Sequence, residues 1–182
     1  MVTKQQGPTS AAHAGSSFRC AGRILIIEAR FYEDIGDELA AGAIAEIEAA
    51  GGTFERIAVP GALEIPLVLG QAAQAQKFSG AAPDYLGAVA LGCVIRGETG
   101  HYDIVCNNAN HWLMDVAVRH SVPLGNAILT VETMEQALER ARGGRQGKGG
   151  DAARACLRMI EIKQNFGDAG ARKPAPRSAV GE

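Results

Sequence analysis

The segment "RGETGH" at residues 96–101 is dense in polar and flexible residues and directly follows an apolar run that ends at Ile95. Its two glycines, Gly97 and Gly100, let the backbone approach a ligand closely. A predicted helix begins immediately after it, and the first N–H groups of a helix are unpaired and carry the positive end of the dipole. The segment therefore indicates a site for a phosphate or a carboxylate. A plain turn in which Thr99 caps the helix is the alternative that these residues leave open.

His101 stands in the first turn of this predicted helix. Because imidazole gains and loses a proton near neutral pH, a histidine beside a crevice is suited to general acid–base catalysis. An exposed histidine without a catalytic part is the other interpretation. The chain lacks the GxxxxGK[ST] pattern of nucleotide-binding loops, so its glycines do not indicate that kind of phosphate site.

Two further segments place an aromatic ring and a carboxylate after apolar runs. Phe31 lies in a polar loop, where its ring can stack on a planar ligand, and packing against the next helix is the alternative. Glu64 lies in "VPGALEIP" at the start of a predicted helix. The helix dipole alone favours a carboxylate there by about 0.3–1 kcal/mol. Binding of ligand hydroxyl groups is an equally good interpretation of Glu64.

A small basic cluster surrounds a glycine-rich bend between residues 140 and 148. It consists of Arg140, Arg142, Arg145 and Lys148. Such a cluster commonly forms a solvated loop. The alternative is contact with an anion, since the arginine guanidinium is well matched to phosphate.

The composition is that of an ordinary globular protein. The chain has 182 residues, a hydrophobic fraction of 47%, a charged fraction of 21% and a net charge of −2, which suits one domain. These values indicate neither a nucleic-acid partner nor a basic membrane surface, and no apolar run approaches the roughly 20 residues of a membrane span. The four cysteines form no CxxC pair and no histidines stand at zinc spacing. We therefore expect no metal site, and core thiols in a reducing cytoplasm.

Apolar runs alternate with helical periodicity along the whole central part of the chain. Strands are predicted at residues 24–27, 54–59, 86–95 and 124–131. Helices are predicted to begin at Asp34 and to span 63–77, 102–120 and 133–142, with a last helix capped by Asp151. The third helix carries an apolar face that consists of Val105, Ala109, Trp112, Leu113 and Val116.

This alternation predicts a flavodoxin-like α/β fold in three layers, α/β/α. The nearly continuous apolar strands favour a four-stranded parallel sheet that is covered on both faces. In the strand order 2-1-3-4, the crevice lies at the carboxyl ends of strands 1 and 3. The loop with Phe31 and the loop with His101 are expected to meet there. Residues 18–166 are predicted to form the domain, and the polar segments 1–17 and 167–182 are predicted to be disordered tails.

Five segments together resemble the lumazine synthase family: "ARFYEDI", "VPGALEIP", "ALGCVIRGETGHYDIVCN", "GNAILTVETMEQALERA" and "GKGGDAA". They occur in the order of that family and cover about Arg23 to Phe166. The resemblance implies a transferase of riboflavin biosynthesis that condenses 5-amino-6-(D-ribitylamino)uracil with 3,4-dihydroxy-2-butanone 4-phosphate. The products are 6,7-dimethyl-8-ribityllumazine, phosphate and water, and neither a cofactor nor a metal is required.

The resemblance also implies a role for each candidate residue. Phe31 stacks on the pyrimidine ring, and His101 transfers protons. The remaining substrate-binding residues are Ala62, Leu63 and Glu64 for the ribityl chain, Cys93, Val94 and Ile95 for the pyrimidine edge, Glu98, Thr99 and Arg140 for the phosphate, and Asn126 and Lys148. Asn126 stands where several family members have phenylalanine.

The family forms pentamers, and some members assemble a sixty-subunit icosahedral shell, so the resemblance implies a homo-oligomer. A helix rises 1.5 Å per residue, which puts Arg140 about 10 Å down the fourth helix from Thr133. We therefore expect Arg140 to serve the site of a neighbouring subunit. The alternative function is a non-catalytic flavin- or lumazine-binding shell protein of the same fold. A receiver-type signalling domain is disfavoured, because Arg30-Phe31-Tyr32 stands where that domain needs acidic residues.

Overall fold

The computed structural model describes residues 18–171, and they contain a single four-stranded sheet. Its strands are β1 (Arg23–Ala29), β2 (Thr53–Val59), β3 (Gly87–Ile95) and β4 (Leu124–Val131). All neighbouring strands pair in parallel, in the order β2-β1-β3-β4. The predicted strand order is therefore confirmed, and β4 spans the predicted residues.

Within residues 18–171, five α-helices connect and follow the strands. They are α1 (Glu33–Ala49), α2 (Ile65–Gln74), α3 (His101–Arg119), α4 (Met134–Ala141) and α5 (Lys148–Ala171). One 3₁₀ turn at Ala62–Glu64 precedes α2. No helix among the described residues is both long and apolar enough to cross a membrane.

Several helix boundaries differ from the sequence prediction, and those of α2 and α5 have a visible structural context. α2 ends at Gln74, before the predicted residue 77, because Gln76 adopts a left-handed backbone conformation with φ of 58°. α5 starts three residues before Asp151, which forms ion pairs within the first turn of the helix. The same helix continues to Ala171, past the predicted domain end at residue 166. The predicted tail at 1–17 and residues 172–182 of the predicted tail at 167–182 lie outside the described residues.

The helices cover both faces of the sheet. On one face, buried residues of α1, α4 and α5 pack against the sheet, and on the other face those of α2 and α3 do so. β1 and β3 lie in the middle and are buried along almost their whole length, which explains their continuous apolar sequences. The predicted apolar face of α3 is wrong at one position, because Trp112 is 50% exposed.

The connections that follow the two central strands leave the sheet on opposite faces. β1 leads into α1 on one face, whereas the neighbouring β3 leads into α3 on the other. A crevice must open at the carboxyl ends of these strands, because no connection crosses between them there.

Backbone packs directly against backbone where α5 meets α1 and β4. A Cβ atom on Gly149 would lie 1.9 Å from the carbonyl oxygen of Leu39, and one on Gly125 would lie 1.9 Å from that of Ala152. Only glycine allows this approach. Gly149 of the segment "GKGG" is thus needed for helix packing, in addition to any part it has in the bend.

We predict that Gly149→Ala lowers the free energy of unfolding by about 1–3 kcal/mol or more, since the added methyl group overlaps the backbone of α1. Gly167 is the matched control, because it lies in the same helix and a Cβ there has no neighbour within 4 Å. Gly167→Ala should raise the free energy of unfolding by less than about 1 kcal/mol. Urea denaturation measures both. Equal midpoints for wild type and Gly149→Ala would show that the close contact is not needed.

Candidate active site

A cavity of about 290 Å³ lies in the crevice between β1 and β3. It is bounded by the loop after β1, the turn after β2, the end of β3 and the first turns of α3. The predicted site residues that line it are Phe31, Ala62, Leu63, Glu64, Cys93, Val94, Ile95, Thr99 and His101. Residues from four separate parts of the chain are therefore brought to one cavity, at the edge of the sheet that the predicted topology specified.

An aromatic pair stands at one wall of the cavity. Phe31 is 72% exposed, which is unusual for phenylalanine and leaves its ring free for a ligand. The edge of the Tyr32 ring supports it, with 4.9 Å between the ring centroids and planes at 72°. Phe31 is thus not a core residue, and packing of its ring into the interior is ruled out.

A buried carboxylate fixes the strand end that carries Phe31. Glu28 is 3% exposed and accepts hydrogen bonds from Nε and Nη2 of Arg56 at 2.9 and 2.8 Å. Arg30 lies 3.5 Å from the same carboxylate and donates to Asp37 of α1 at 2.7 Å. The hydrogen bond to Asp37 raises the pKa of Arg30, and that to Glu28 raises the pKa of Arg56, so both remain charged. These ion pairs join β1, β2 and α1 next to the Phe31 loop.

Glu64 faces the cavity from the turn after β2. Gly61 is in extended conformation, and the Glu64 carboxylate lies close to it, 3.2 Å from where a Cβ would be. The turn ends at α2, whose first turn accommodates Pro66 because the N–H of that position needs no partner. Glu64 is half-buried and has a carboxylate available for ligand hydroxyl groups.

The end of β3 forms the floor of the cavity. Cys93 is 7% exposed, and burial, with a smaller effect of Cys106, raises the pKa of its thiol to about 11. It is therefore a neutral wall residue near pH 7, and it is not an activated nucleophile. Val94 and Ile95 are half-buried and complete the strand edge.

The loop at 97–100 is exposed and ends where α3 begins at His101. Gly100 is the N-cap and has no side-chain cap bond, and Thr99 Oγ1 accepts only a long bond of 3.4 Å from the His101 N–H. Capping by Thr99 is therefore weak. Within the described residues, no hydrogen-bond partner is present for the backbone N–H of Glu98 or Thr99. These groups are available to an anion, and His101 lies beside them.

Four predicted residues do not line this cavity. The Glu98 side chain is exposed in the loop. Asn126 on β4 donates to Asn110 at 2.7 Å and accepts from the Ile128 N–H at 2.8 Å. Arg140 donates to the Gln136 carbonyl at 2.9 Å. Lys148 forms an ion pair with Asp151 at 2.8 Å.

The basic cluster separates into residues that pair with a carboxylate of the same chain and one that does not. Arg145 binds the buried Glu46 at 2.7 Å, and Arg142 lies 3.9 Å from Glu38. Among the described side chains, no carboxylate pairs with Arg140. Arg140 is thus the arginine of the cluster that is available to an external anion.

Sequence reasoning missed four lining residues, which are Tyr32, Gly61, Tyr102 and Val105, whereas Gly97 was singled out for close approach to a ligand. Each stands next to a predicted residue or one helical turn from it. Val105 could have been found from helical spacing, since the position four residues after His101 shares its side of α3, whereas Tyr102 is not on that side by spacing. As for metal ligands, residues 18–171 contain no group of three or more His, Cys, Asp or Glu side chains that could hold an ion.

Comparisons with known proteins identify a family that the sequence matches. Residues 21–164 match the family described as 6,7-dimethyl-8-ribityllumazine synthase. The chain is 56% identical to the protein of that name from Methylorubrum populi. The aligned 142 residues cover 78% of this chain and 83% of the relative. It is 54% identical over 144 residues to 6,7-dimethyl-8-ribityllumazine synthase 1 from Rhizobium meliloti, which covers 79% and 93%. The corresponding protein of Rhodopseudomonas palustris is 51% identical over 147 residues, covering 81% and 89%.

We predict that Cys93 resists alkylation between pH 7 and pH 9 and becomes reactive only as the pH approaches about 11, the raised pKa of its thiol. The rate of alkylation rises with pH, because the thiolate is the reactive form and a raised pKa keeps the thiol protonated to higher pH. Peptide mass spectrometry after iodoacetamide treatment measures the rate, with glutathione as the reference thiol. Labelling of Cys93 at the glutathione rate at pH 8 would contradict its assignment as a buried wall residue.

Proposed function

The chain belongs to the 6,7-dimethyl-8-ribityllumazine synthase family, and we propose that the cavity between β1 and β3 is where it carries out that reaction. It is a transferase of riboflavin biosynthesis. The substrates are 5-amino-6-(D-ribitylamino)uracil and 3,4-dihydroxy-2-butanone 4-phosphate. The observation that carries this assignment is that the predicted ring residue Phe31, the predicted ribityl residues Ala62–Glu64, and Thr99 and His101 all line one cavity.

One wall of the cavity is suited to the pyrimidine. The exposed ring of Phe31 stacks on it, and the strand end at Cys93–Ile95 offers backbone groups to its edge. Glu64 accepts hydrogen bonds from hydroxyl groups of the ribityl chain. The walls are otherwise apolar, which excludes water from the stacked ring.

The other wall is suited to the phosphate ester. The free N–H groups of Glu98 and Thr99, together with the start of α3, bind the phosphate. The 5-amino group of the pyrimidine attacks the ketone, and loss of water gives an imine. Phosphate is then eliminated, the resulting enol rearranges to a ketone, and ring closure releases a second water.

His101 transfers protons in these steps from its position beside the phosphate loop. It accounts for about 10²–10⁴-fold of the rate at most, whereas holding two reactants together can lower the barrier by up to about 7–11 kcal/mol. Positioning is therefore the larger contribution. No described feature favours the non-catalytic binding alternative, which would need no phosphate site.

The active form we propose is a homo-oligomer, a pentameric ring in which neighbouring subunits share sites. Asn126, Arg140 and Lys148 stand outside their own cavity, and a second copy can bring them to it. Ile104, Trp112 and Val118 expose apolar surface on α3, at 57%, 50% and 72%, which supports burial against another copy. A ring of this kind has head-to-tail contacts, and rings can assemble further into an icosahedral shell.

A cytoplasmic location is also proposed. All four cysteines are free thiols, three of them buried. Such thiols persist unpaired in a reducing compartment.

The function is tested by mixing the pure protein with both substrates and following the lumazine absorbance. We expect product to form well above the uncatalysed background. Formation no faster than background, while the protein still binds the pyrimidine, would support the binding alternative instead.

We predict that Phe31→Ala weakens pyrimidine binding about tenfold and leaves phosphate binding unchanged, because only the pyrimidine has a ring to stack. Phe31→Trp is the matched control, since it keeps an aromatic ring and should retain most of the affinity. Calorimetric titration with each ligand measures both. If the two affinities fall together in Phe31→Ala, the residue supports the fold of the loop and does not stack.

We further predict that mixing His101→Ala subunits with Arg140→Ala subunits restores activity above that of either variant alone. Some interfaces in mixed rings then combine an intact His101 with an intact Arg140. As control, His101→Ala subunits are mixed with subunits that carry both substitutions, and no recovery is expected. Mixed rings that form, as shown by native mass spectrometry, without recovered activity would exclude shared sites.

A further inference from the structure

The side chain of Arg96 contacts three other side chains, although Arg96 has no part in the site as described so far. Nη1 and Nη2 of its guanidinium donate to the two carboxylate oxygens of Asp103 at 3.3 and 3.2 Å, and Nε donates to Glu132 at 3.1 Å. The flat face of the same group lies 4.0 Å from the centre of the Tyr102 ring. Its backbone N–H donates to the Val131 carbonyl at 2.9 Å.

Arg96 and these partners belong to three different elements. Arg96 directly follows β3, Tyr102 and Asp103 are in the first turn of α3, and Glu132 directly follows β4. The hydrogen bond and ring contact to α3 join the two ends of the exposed loop at 97–101. The contact with Glu132 attaches both ends to the edge strand of the sheet. One side chain thus closes the loop that we assign to phosphate binding.

The loop needs such a closure because it contains little that would hold it. A Cβ on Gly97 or on Gly100 would have no neighbour within 4 Å, so no packing restrains these positions. Glycine has more backbone freedom to lose than any other residue. If the loop is already ordered before the ligand arrives, ligand binding does not carry the entropy cost of ordering it.

Arg96 also compensates for two negative charges. Asp103 and Glu132 are both more than half exposed, and both stand beside the elements that carry the anion site. Unpaired, they would repel a phosphate ester and would have little effect on an uncharged pyrimidine. Both hydrogen bonds raise the pKa of Arg96, that to Asp103 more than that to Glu132, so its charge is permanent.

We propose that Arg96 is the positioning residue of the phosphate loop, acting through Tyr102 and Asp103 and without contact to the substrate. Arg96 does not line the cavity, whereas Tyr102 does. Lysine cannot replace it, because an ammonium group lacks the planar fork for Asp103, the separate Nε donor for Glu132 and the flat face for Tyr102. This assignment rests on the proposed function of the site.

The first test does not require activity. Hydrogen–deuterium exchange is measured on peptides that cover residues 101–106 in wild type, Arg96→Met and Arg96→Lys. We expect exchange to be about tenfold faster in both variants, since the first turn of α3 loses its attachment. Arg119→Met is the matched control, because Arg119 pairs with Asp115 at the other end of the same helix and should leave residues 101–106 unchanged. Unchanged exchange in the Arg96 variants would overturn the proposal.

The second test separates positioning from a general loss of structure. In both Arg96 variants we expect KM for the phosphate substrate to rise about tenfold, with KM for the pyrimidine and the thermal midpoint unchanged. Arg96→Met should have the larger effect, because it also leaves Asp103 and Glu132 uncompensated. Equal rises of the two KM values, or no rise, would overturn the assignment of Arg96. Absence of lumazine formation by the wild type would instead refute the proposed function, and the exchange test would still decide on Arg96.

Discussion

The site depends on one constraint of the sheet, which is that β1 and β3 are hydrogen-bonded neighbours whose following segments leave on opposite faces. This reversal opens a crevice at their carboxyl ends, whatever side chains are present. The loops after β1, β2 and β3 then bring Phe31, Glu64 and His101 to the same cavity. The chemistry is thus assembled from short loops, and the buried strands fix their relative positions.

Two kinds of charged or polar group stand near the site. Some are paired within the chain and hold the structure, and others have no acidic partner and are available to a ligand. Glu28 and Glu46 are buried and bind arginines of their own chain. These pairs hold the loop after β1 and the bend before α5 in place. Arg140 and the N–H groups of the phosphate loop have no such acidic partner among the described residues. These groups without an acidic partner are among those that the proposed reaction requires.

Most of the fold could be predicted from the sequence, because its signals are local. The apolar strands, the helical periodicity and the turn residues each lie within a few positions of one another, and the strand order followed from them. Phe31, Glu64 and His101 stood out from local signals as well, whereas Ala62, Leu63 and Cys93–Ile95 followed only from the resemblance to the family. The partners of Arg96 could not be predicted, because they lie in α3 and at the end of β4 and meet Arg96 only in the folded chain. The close contact between Gly149 and the backbone of α1 was also missed, because no local pattern records it.

The central claim is that the crevice between β1 and β3 binds both substrates and that a second copy completes it. A crystal structure of the protein with the pyrimidine substrate and inorganic phosphate tests this most directly. We expect the pyrimidine ring to stack on Phe31 and the phosphate to accept hydrogen bonds from the N–H groups of Glu98 and Thr99, with Arg140 from a neighbouring copy within reach. A phosphate bound elsewhere, or a complete site within a single chain, would contradict the account.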